Sequence, residues 1–277
     1  MKIGCIIQAR SGSSRLPNKV LLPLPINQEF SVLNNVIDRV KKSIYISEII
    51  VATTNTKADD SIAHLSTSLS TKVFRGSEKN VLSRYYESAK KFHLDIVVRI
   101  TSDCPCIDPK VIDRIINIHL EHNNDYTSNT LVRSFPHGMD AEVFNFSVLK
   151  EAFNNATEDF EFEHVTPYIY RTKLDSFKIE NVQAAKEQYG PEIRITLDTH
   201  EDYMAICAIY DHFKDKHASV EEIITLYKQK PWIGYINRSV EQKRVYSSLS
   251  EELEKGIALS SLHGLERVQR LLESVDK

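Results

Sequence analysis

The alternation of short apolar runs with helical patterns over the first 120 residues limits the fold most strongly. Continuous apolar runs at residues 3–7, 48–53 and 95–100 are typical of strands buried on both faces. Between and after them, apolar residues recur at helical spacing over 32–40, 59–69, 81–92 and 109–120, and a short strand is predicted at 72–74. Strand and helix in alternation predict an α/β fold, a mostly parallel sheet between helices.

The middle of the chain has a different pattern. Residues 125–190 contain extended pieces at 141–146 and 177–182 and a predicted helix at 162–171. We interpret this segment as an insertion that closes one side of a site. A further strand is predicted at 192–198, with a helix over 200–213. These patterns predict one domain over 1–245, containing the 125–190 segment, and a charged helical C-terminal extension over 246–277.

Charge and composition exclude several classes of protein. The 277 residues carry 35 basic and 38 acidic side chains, a net charge of −3, which gives no general reason to expect a nucleic-acid partner. Apolar runs are too short for a membrane span, and the N-terminus does not resemble a secretory signal, so we expect a cytoplasmic protein with no membrane partner. The cysteines, at 5, 104, 106 and 207, lack zinc-site spacing and are expected to be reduced, with a structural or incidental role.

In an open parallel sheet, ligands bind beyond the C-terminal ends of the strands. That rule selects the loops 8–19, 53–60 and 101–108. The first loop, QARSGSSRLPNK, carries Arg10, Arg15 and Lys19 around the single glycine Gly12. Two guanidinium groups, an ammonium and a tight turn suit a polyphosphate. The loop lacks the Walker A ending and the three glycines of the dinucleotide fingerprint. The alternative is a solvated polar loop.

Two aspartates follow predicted strands. Asp103 comes after the 95–100 strand and Asp198 ends the 192–198 strand, so both are expected at the sheet edge that carries the phosphate loop. Two carboxylates facing a polyphosphate suit Mg²⁺. The alternatives are a turn residue before Pro105 and a helix cap. Arg75 follows the short strand and either contacts the nucleotide or pairs with a surface acid.

Several segments of the sequence resemble those of a known protein family. Residues 8–19 resemble the signature I-Q-A-R-x-x-S-x-R-L-P-x-K of the SpsF-like (spore-coat polysaccharide) cytidylyltransferases, relatives of the synthetases that form CMP-sugars from Kdo, neuraminic acid and pseudaminic acid. The similarity covers roughly residues 1 to 240 and continues at 73–78, 80–86, 98–105, 107–109, 125–129, 138–144, 163–170 and 197–202. The sequence departs from the family pattern at Ser102, Cys106 and His200.

The resemblance implies a Rossmann-like nucleotidyltransferase fold that transfers CMP from CTP to an acidic sugar or sugar-like acid, releasing pyrophosphate, in surface glycan synthesis. It implies Mg²⁺ on Asp103 and Asp198, and Arg10, Lys19 and Asp103 as catalytic residues. The expected nucleotide-binding residues are Gln8, Ala9, Arg10, Ser11, Gly12, Arg15, Lys19, Arg75, Thr101 and Asp103. The middle segment would form a homodimer interface and bring Asp140, Glu142, Glu163 and His164 near the acceptor.

Two other functions remain open on the sequence. One is a sugar-1-phosphate nucleotidyltransferase using UTP or TTP, although such enzymes usually carry a loop richer in glycine. The other is a non-catalytic nucleotide-binding protein or a glycosyltransferase-like protein, although the D-x-D metal motif is missing at Ser102-Asp103-Cys104. No general base is evident, and His164 is the best histidine candidate for contact with the acceptor.

Overall fold

The structure of the protein is a computed structural model that describes residues 1–214 and 217–240. Its first half contains four parallel strands, β1 (Ile3–Gln8), β2 (Glu48–Thr54), β3 (Lys72–Gly76) and β4 (Ile96–Thr101). They lie in the order β3-β2-β1-β4. The apolar runs therefore form the predicted strands. Strands β1, β2 and β4 are interior strands of the sheet with both faces covered, which explains why they are apolar over most of their length.

The middle segment extends the same sheet. It contributes β5 (Tyr126–Ser128), β6 (Glu142–Asn145) and β7 (Ile179–Asn181), and the full order is β3-β2-β1-β4-β6-β5-β7. Strand β6 runs antiparallel to both β4 and β5, and β7 runs parallel to β5. The α/β fold with a mostly parallel sheet is confirmed. The first residue of β6, Glu142, lies at the edge where β4 ends, because β6 runs in the opposite direction.

Helices cover both faces of the sheet. The helices are α1 (Val32–Val40), α2 (Asp60–Ser68), α3 (Val81–Lys91), α4 (Pro109–Glu121), α5 (Phe146–Asn155), α6 (Asp159–His164), α7 (His200–Phe213), α8 (Val220–Gln229) and α9 (Trp232–Ile236). Successive residues of β1 pack into different cores: Cys5 and Ile7 join one apolar cluster and Ile6 joins the other. This follows from the two-residue period of a strand. Within the described residues, none of the helices has the length and apolar character needed to cross a membrane.

Two predicted elements differ from the structure. The predicted helix at 162–171 is interrupted at Val165, whose φ of 75° is incompatible with a right-handed helix, so α6 ends at His164 and a separate π-helical turn covers Tyr168–Thr172. The predicted strand at 192–198 is wrong, because this stretch makes only an isolated bridge between Arg194 and His137. The predicted extension at 246–277 lies outside the described residues.

Candidate functional site

The loop after β1 is folded by its own backbone. The carbonyl of Ser11 accepts hydrogen bonds from the N–H groups of Ser13 (2.8 Å) and Asn18 (3.0 Å). Asn18 adopts a left-handed conformation (φ 57°), and the short helical turn Lys19–Leu21 follows it. The loop therefore closes into a compact turn. Arg10, Gly12 and Arg15 are exposed on it.

Asp59 anchors this loop to β2. Its buried carboxylate accepts five hydrogen bonds, from Ser11 N–H (2.7 Å) and Oγ–H (2.6 Å), Thr53 Oγ1–H (3.1 Å), and Thr54 N–H (3.2 Å) and Oγ1–H (2.5 Å). Asp59 occupies the N-cap position of α2, but its side chain makes no capping hydrogen bond to that helix. Burial favours the protonated acid, but the hydrogen bonds from Ser11 and Thr54 outweigh burial and lower the pKa of Asp59.

Lys19 joins the loop to both predicted metal-binding aspartates. Its Nζ donates to Asp103 Oδ2 (2.7 Å), Asp198 Oδ1 (2.9 Å) and the carbonyl of Leu197 (2.7 Å). Arg15 adds a second cation, with Nη2 3.0 Å from Asp198 Oδ2. The structure therefore brings together two carboxylates and two cations that the sequence assigned to one site.

Asp198 reaches this site without belonging to a strand. The N–H of Leu197 donates to the carbonyl of Asp103 (2.8 Å), which holds the two aspartates side by side. Arg194 donates to Asp198 Oδ2 (2.9 Å) and makes two further bonds to the buried Asp202, from Nε to Oδ1 (2.8 Å) and from Nη2 to Oδ2 (3.0 Å). Asp202 also accepts from the N–H of Asp198 (3.0 Å). Neither Arg194 nor Asp202 was predicted from the sequence, where the available signal is that each lies four residues from Asp198.

The charges in this cluster stabilise one another. Burial opposes the ammonium form of Lys19, but attraction to Asp103 and Asp198 outweighs burial and raises its pKa. Burial likewise favours protonated Asp103 and Asp198, yet Lys19 holds both carboxyl pKa values below their ordinary value. At neutral pH the cluster therefore contains an ammonium between two carboxylates.

The donor set of this cluster fits a hard divalent cation that is shared with a nucleotide. Within the described residues, no group of three or more His, Cys, Asp or Glu side chains converges as a closed metal site. Asp103 and Asp198 supply two carboxylates, which leaves the remaining positions for phosphate oxygens and water. This is the usual way in which proteins hold Mg²⁺.

Other predicted nucleotide contacts lie at neighbouring strand ends. Arg75 is engaged with the loop after β2, because its guanidinium donates to Thr54 O (2.9 Å), Thr56 O (2.7 Å) and Asp60 Oδ1 (2.6 Å). Gln8 Oε1 accepts from Arg99 (3.2 Å), and Thr101 Oγ1 lies 3.3 Å from Cys104 Sγ. Arg75 thus orders a loop at the β3 end of the sheet.

The predicted acceptor residues occupy different environments. Glu142 is buried and contacts Arg99, Tyr126 Oη (2.7 Å) and Thr166 Oγ1 (2.6 Å). Asp140 forms a forked pair with Arg133 (2.7 and 3.0 Å). On α6, Glu163 is exposed and His164 is half-buried. Glu142 therefore connects the sheet to the turn after α6 through Thr166, whereas Asp140 faces Arg133.

A cavity of about 530 Å³ adjoins the carboxylate cluster through Arg194. Its walls include Arg133 and His137, and Arg194 contacts Asp198. Burial lowers the pKa of His137 to about 4, so its imidazole is neutral at pH 7. This cavity is formed by residues far apart in the sequence, so local sequence patterns do not indicate it.

The chain matches the family model described as cytidylyltransferase over residues 4–252. It is 34% identical over 232 residues to the spore coat polysaccharide biosynthesis protein SpsF of Bacillus subtilis, covering 82% of this chain and 94% of that protein. It is 30% identical over 161 residues to a 3-deoxy-manno-octulosonate cytidylyltransferase of Thermodesulfovibrio yellowstonii, covering 54% and 58% of the two chains.

Similarity in structure agrees with the sequence matches. A solved cytidylyltransferase of Leptospira borgpetersenii superimposes with a TM-score of 0.80 at 32% identity, over 88% of this chain and all (100%) of that chain. The resemblance to SpsF-like proteins and the nucleotidyltransferase fold are thereby confirmed. With the family model matching most of the sequence, the chain belongs to the cytidylyltransferase family.

Proposed function

We propose that this cytidylyltransferase transfers CMP from CTP to an acidic sugar or sugar-like acid, with Mg²⁺ as cofactor, in the synthesis of a surface glycan. The observation that carries the proposal is the Lys19 ammonium held between Asp103 and Asp198 at the end of the phosphate loop. A triphosphate brings negative charge to this place, and the loop supplies the cations that such a ligand needs.

The proposed reaction is a single displacement at phosphorus. A hydroxyl oxygen of the acceptor forms a bond to the α-phosphorus of CTP, and the bond from that phosphorus to the α,β-bridging oxygen breaks. The electron pair leaves with pyrophosphate, and the hydroxyl proton passes to solvent. Arg10, Arg15 and Lys19 stabilise the charge that develops on the departing pyrophosphate. Holding the reactants in line supplies much of the remaining rate enhancement.

Asp103 and Asp198 would hold the cation. Bound Mg²⁺ supplies Lewis-acid polarisation of the α-phosphate. Lys19 occupies the space between the two carboxylates, so it has to exchange carboxylate oxygens for phosphate oxygens as the substrate binds. Arg194 and Asp202 position Asp198 throughout, because their contacts do not depend on Lys19.

The remaining nucleotide contacts are proposed from their position. Gln8, Ala9, Ser11, Gly12 and Thr101 lie in or beside the loops after β1 and β4. Their backbone and hydroxyl groups are suited to polar parts of the nucleotide. Arg75 would act on the nucleotide by ordering residues 54–56, which its guanidinium holds.

The acceptor is proposed to be an acid because relatives are named for acidic sugars. The Thermodesulfovibrio protein is named for 3-deoxy-manno-octulosonate, and the Bacillus protein for polysaccharide synthesis. We assign Asp140, Glu142, Glu163 and His164 to the acceptor side of the site. Glu142 would act through the residues that it holds, since it is buried. His164 is the histidine that we propose for contact with the acceptor.

We further propose that residues 1–245 act as one catalytic domain and that 125–190 form the interface of a homodimer. This assignment rests on the family resemblance, and on the three strands that this segment adds to the sheet. Light scattering of the purified protein tests it. A dimer is expected, and a monomer that is fully active would contradict the assignment.

A panel of acceptors tests the proposed function. Pyrophosphate release is measured with CTP and MgCl₂ and each of a set of acidic sugars, including 3-deoxy-manno-octulosonate and N-acetylneuraminate, and the CMP-sugar is identified by mass spectrometry. Release is expected only when CTP, Mg²⁺ and an acidic acceptor are all present. Turnover of sugar 1-phosphates with UTP or TTP, and none with acids, would contradict the proposal.

A further inference from the structure

Arg84, on the second turn of α3, is a buried cation without hydrogen-bonded partners for two of its nitrogens. The side chain is 2% exposed, and Nε and Nη1 have no hydrogen-bond partner in the part of the chain that the structure describes. Arg39 is equally buried and its Nε also lacks a hydrogen-bond partner in the described residues, but its Nη1 donates to the carbonyls of Cys106 (3.4 Å), Ile107 (3.3 Å) and Ala218 (3.0 Å). A buried charge with unsatisfied donors is unfavourable, so Arg84 needs another reason for its position.

Arg84 lies at the edge of the phosphate loop. Gly76 ends β3, and a Cβ at that position would lie 2.9 Å from Arg84 Cγ, so the glycine lets the arginine stem pass the end of the strand. Burial disfavours the charge of Arg84; Arg10 repels it, and Asp59 and Glu78 attract it. Glu78 Oε1, in the segment that leads into α3, lies 3.9 Å from the position that a Cβ on Gly12 would occupy, so this end of α3 borders the phosphate loop. Arg10 is exposed on that loop, and Arg84 is buried on α3.

The nearby acids do not neutralise this pair. The carboxylate of Asp59 already accepts five hydrogen bonds, from Ser11 of the phosphate loop and from Thr53 and Thr54 of β2. Glu78 is exposed in the segment that precedes α3. An anion placed between Arg10 and Arg84 would offset both charges and accept from the planar guanidinium fork.

We propose that Arg84, together with Arg10, binds oxygens of the pyrophosphate half of the nucleotide. The inference rests on the nucleotide site of the proposed function and does not depend on which acceptor is used. A phosphate group suits this place better than a neutral carbonyl of the cytosine base, because the two guanidinium groups carry like positive charges that only an anion can offset. In the absence of nucleotide, the enzyme keeps a buried cation that destabilises the fold and is compensated only when the ligand binds.

Arg84→Met separates this role from a structural one. Methionine keeps much of the apolar stem and removes the buried charge. The variant is expected to melt at the wild-type temperature or above it, while its dissociation constants for CTP and for inorganic pyrophosphate rise about 10- to 100-fold, the effect of losing a charged hydrogen bond. Arg84→Lys, which keeps the charge without the fork, is expected to lie between these limits.

Isothermal titration calorimetry with MgCl₂ and either CTP or pyrophosphate, beside thermal melting, makes the test. Arg39→Met is the matched control: it should lower the melting temperature and leave both dissociation constants unchanged. The proposal is overturned if Arg84→Met binds both ligands with wild-type affinity. It is also overturned if the variant binds CTP more weakly but pyrophosphate as wild type does, because that result would place Arg84 at the nucleoside. If wild-type protein binds neither ligand, the nucleotide site itself fails, and this inference fails with it.

Discussion

Asp59→Asn tests whether the phosphate loop depends on its anchor to β2. Asp59 Oδ1 accepts from Ser11 N–H and Oγ–H, and Oδ2 accepts from Thr54 N–H and from the hydroxyls of Thr53 and Thr54. An asparagine has one carbonyl oxygen. Whichever way its amide is turned, an NH₂ group faces one of the two backbone N–H donors.

The expected loss follows from these contacts. One buried backbone N–H loses its acceptor, at about 1–3 kcal/mol, and the remaining bonds lose the strength that a charged acceptor gives. Together these terms predict a loss of about 3 kcal/mol in the free energy of unfolding. Because Ser11 positions the loop, the dissociation constant for CTP should also rise, by about tenfold.

Urea unfolding and CTP calorimetry measure the two effects. The matched control is Asp60→Asn at the neighbouring position, where the carboxylate is 47% exposed and pairs with Arg75. A pair that exposed contributes at most about 1 kcal/mol, so the control should change stability little. If Asp59→Asn is no less stable than Asp60→Asn and binds CTP as wild type does, the anchoring role is refuted.

Three further predictions concern the carboxylate cluster and its support. The pKa values of Asp103 and Asp198 in the folded protein lie below the ordinary 3.8. The two carboxylates therefore stabilise the fold fully above that pH, and this contribution is lost as the pH falls through the folded pKa values. The urea midpoint, measured from pH 7 to pH 2, should decrease at the acid end. Lys19→Met removes the ammonium that the two carboxylates share, so the metal-free protein should lose about 3 kcal/mol, and MgCl₂ should raise its melting temperature more than that of wild type. Gly138→Ala should destabilise by at least about 2 kcal/mol in urea unfolding, since φ is 115° and a Cβ would meet backbone atoms of Ile195 at 2.7–2.8 Å. The first argument is contradicted if the urea midpoint does not change with pH, and the second if MgCl₂ raises the melting temperatures of Lys19→Met and wild type equally. The third is contradicted if Gly138→Ala is as stable as wild type.

Local pattern and one topological rule were enough to predict the four strands of the first half and the loop after β1. The apolar runs became β1, β2 and β4 because strands buried on both faces require them. The rule that ligands bind beyond strand ends then selected Lys19 and Asp103, which are in contact. Asp198 was assigned correctly to this cluster, but from a strand that does not form. A sequence pattern typical of extended backbone does not show whether another strand is available to pair with it, as the stretch 192–198 illustrates.

Contacts between distant residues account for what was missed. Asp59 immediately precedes α2, where a helix cap is expected, and the hydrogen bonds from Ser11, 48 positions away, and from β2 give its side chain another role. The burial of Glu142 depends on Arg99 in the neighbouring strand. Arg84 belongs to an amphipathic helix pattern in which arginine is ordinarily solvated, so nothing local indicates that its guanidinium is enclosed.

The rate of CTP-dependent pyrophosphate release by Asp103→Asn tests the central claim most directly. The variant keeps the size of the side chain and removes the charge that faces Lys19. With saturating MgCl₂ and an acceptor that the wild type uses, kcat/KM is expected to fall about 100-fold or more. Asp38→Asn, at an exposed carboxylate that pairs with Lys41, is the control and should retain the wild-type rate. Turnover by Asp103→Asn within a few-fold of wild type would contradict the assignment of the Lys19, Asp103 and Asp198 cluster as the catalytic centre.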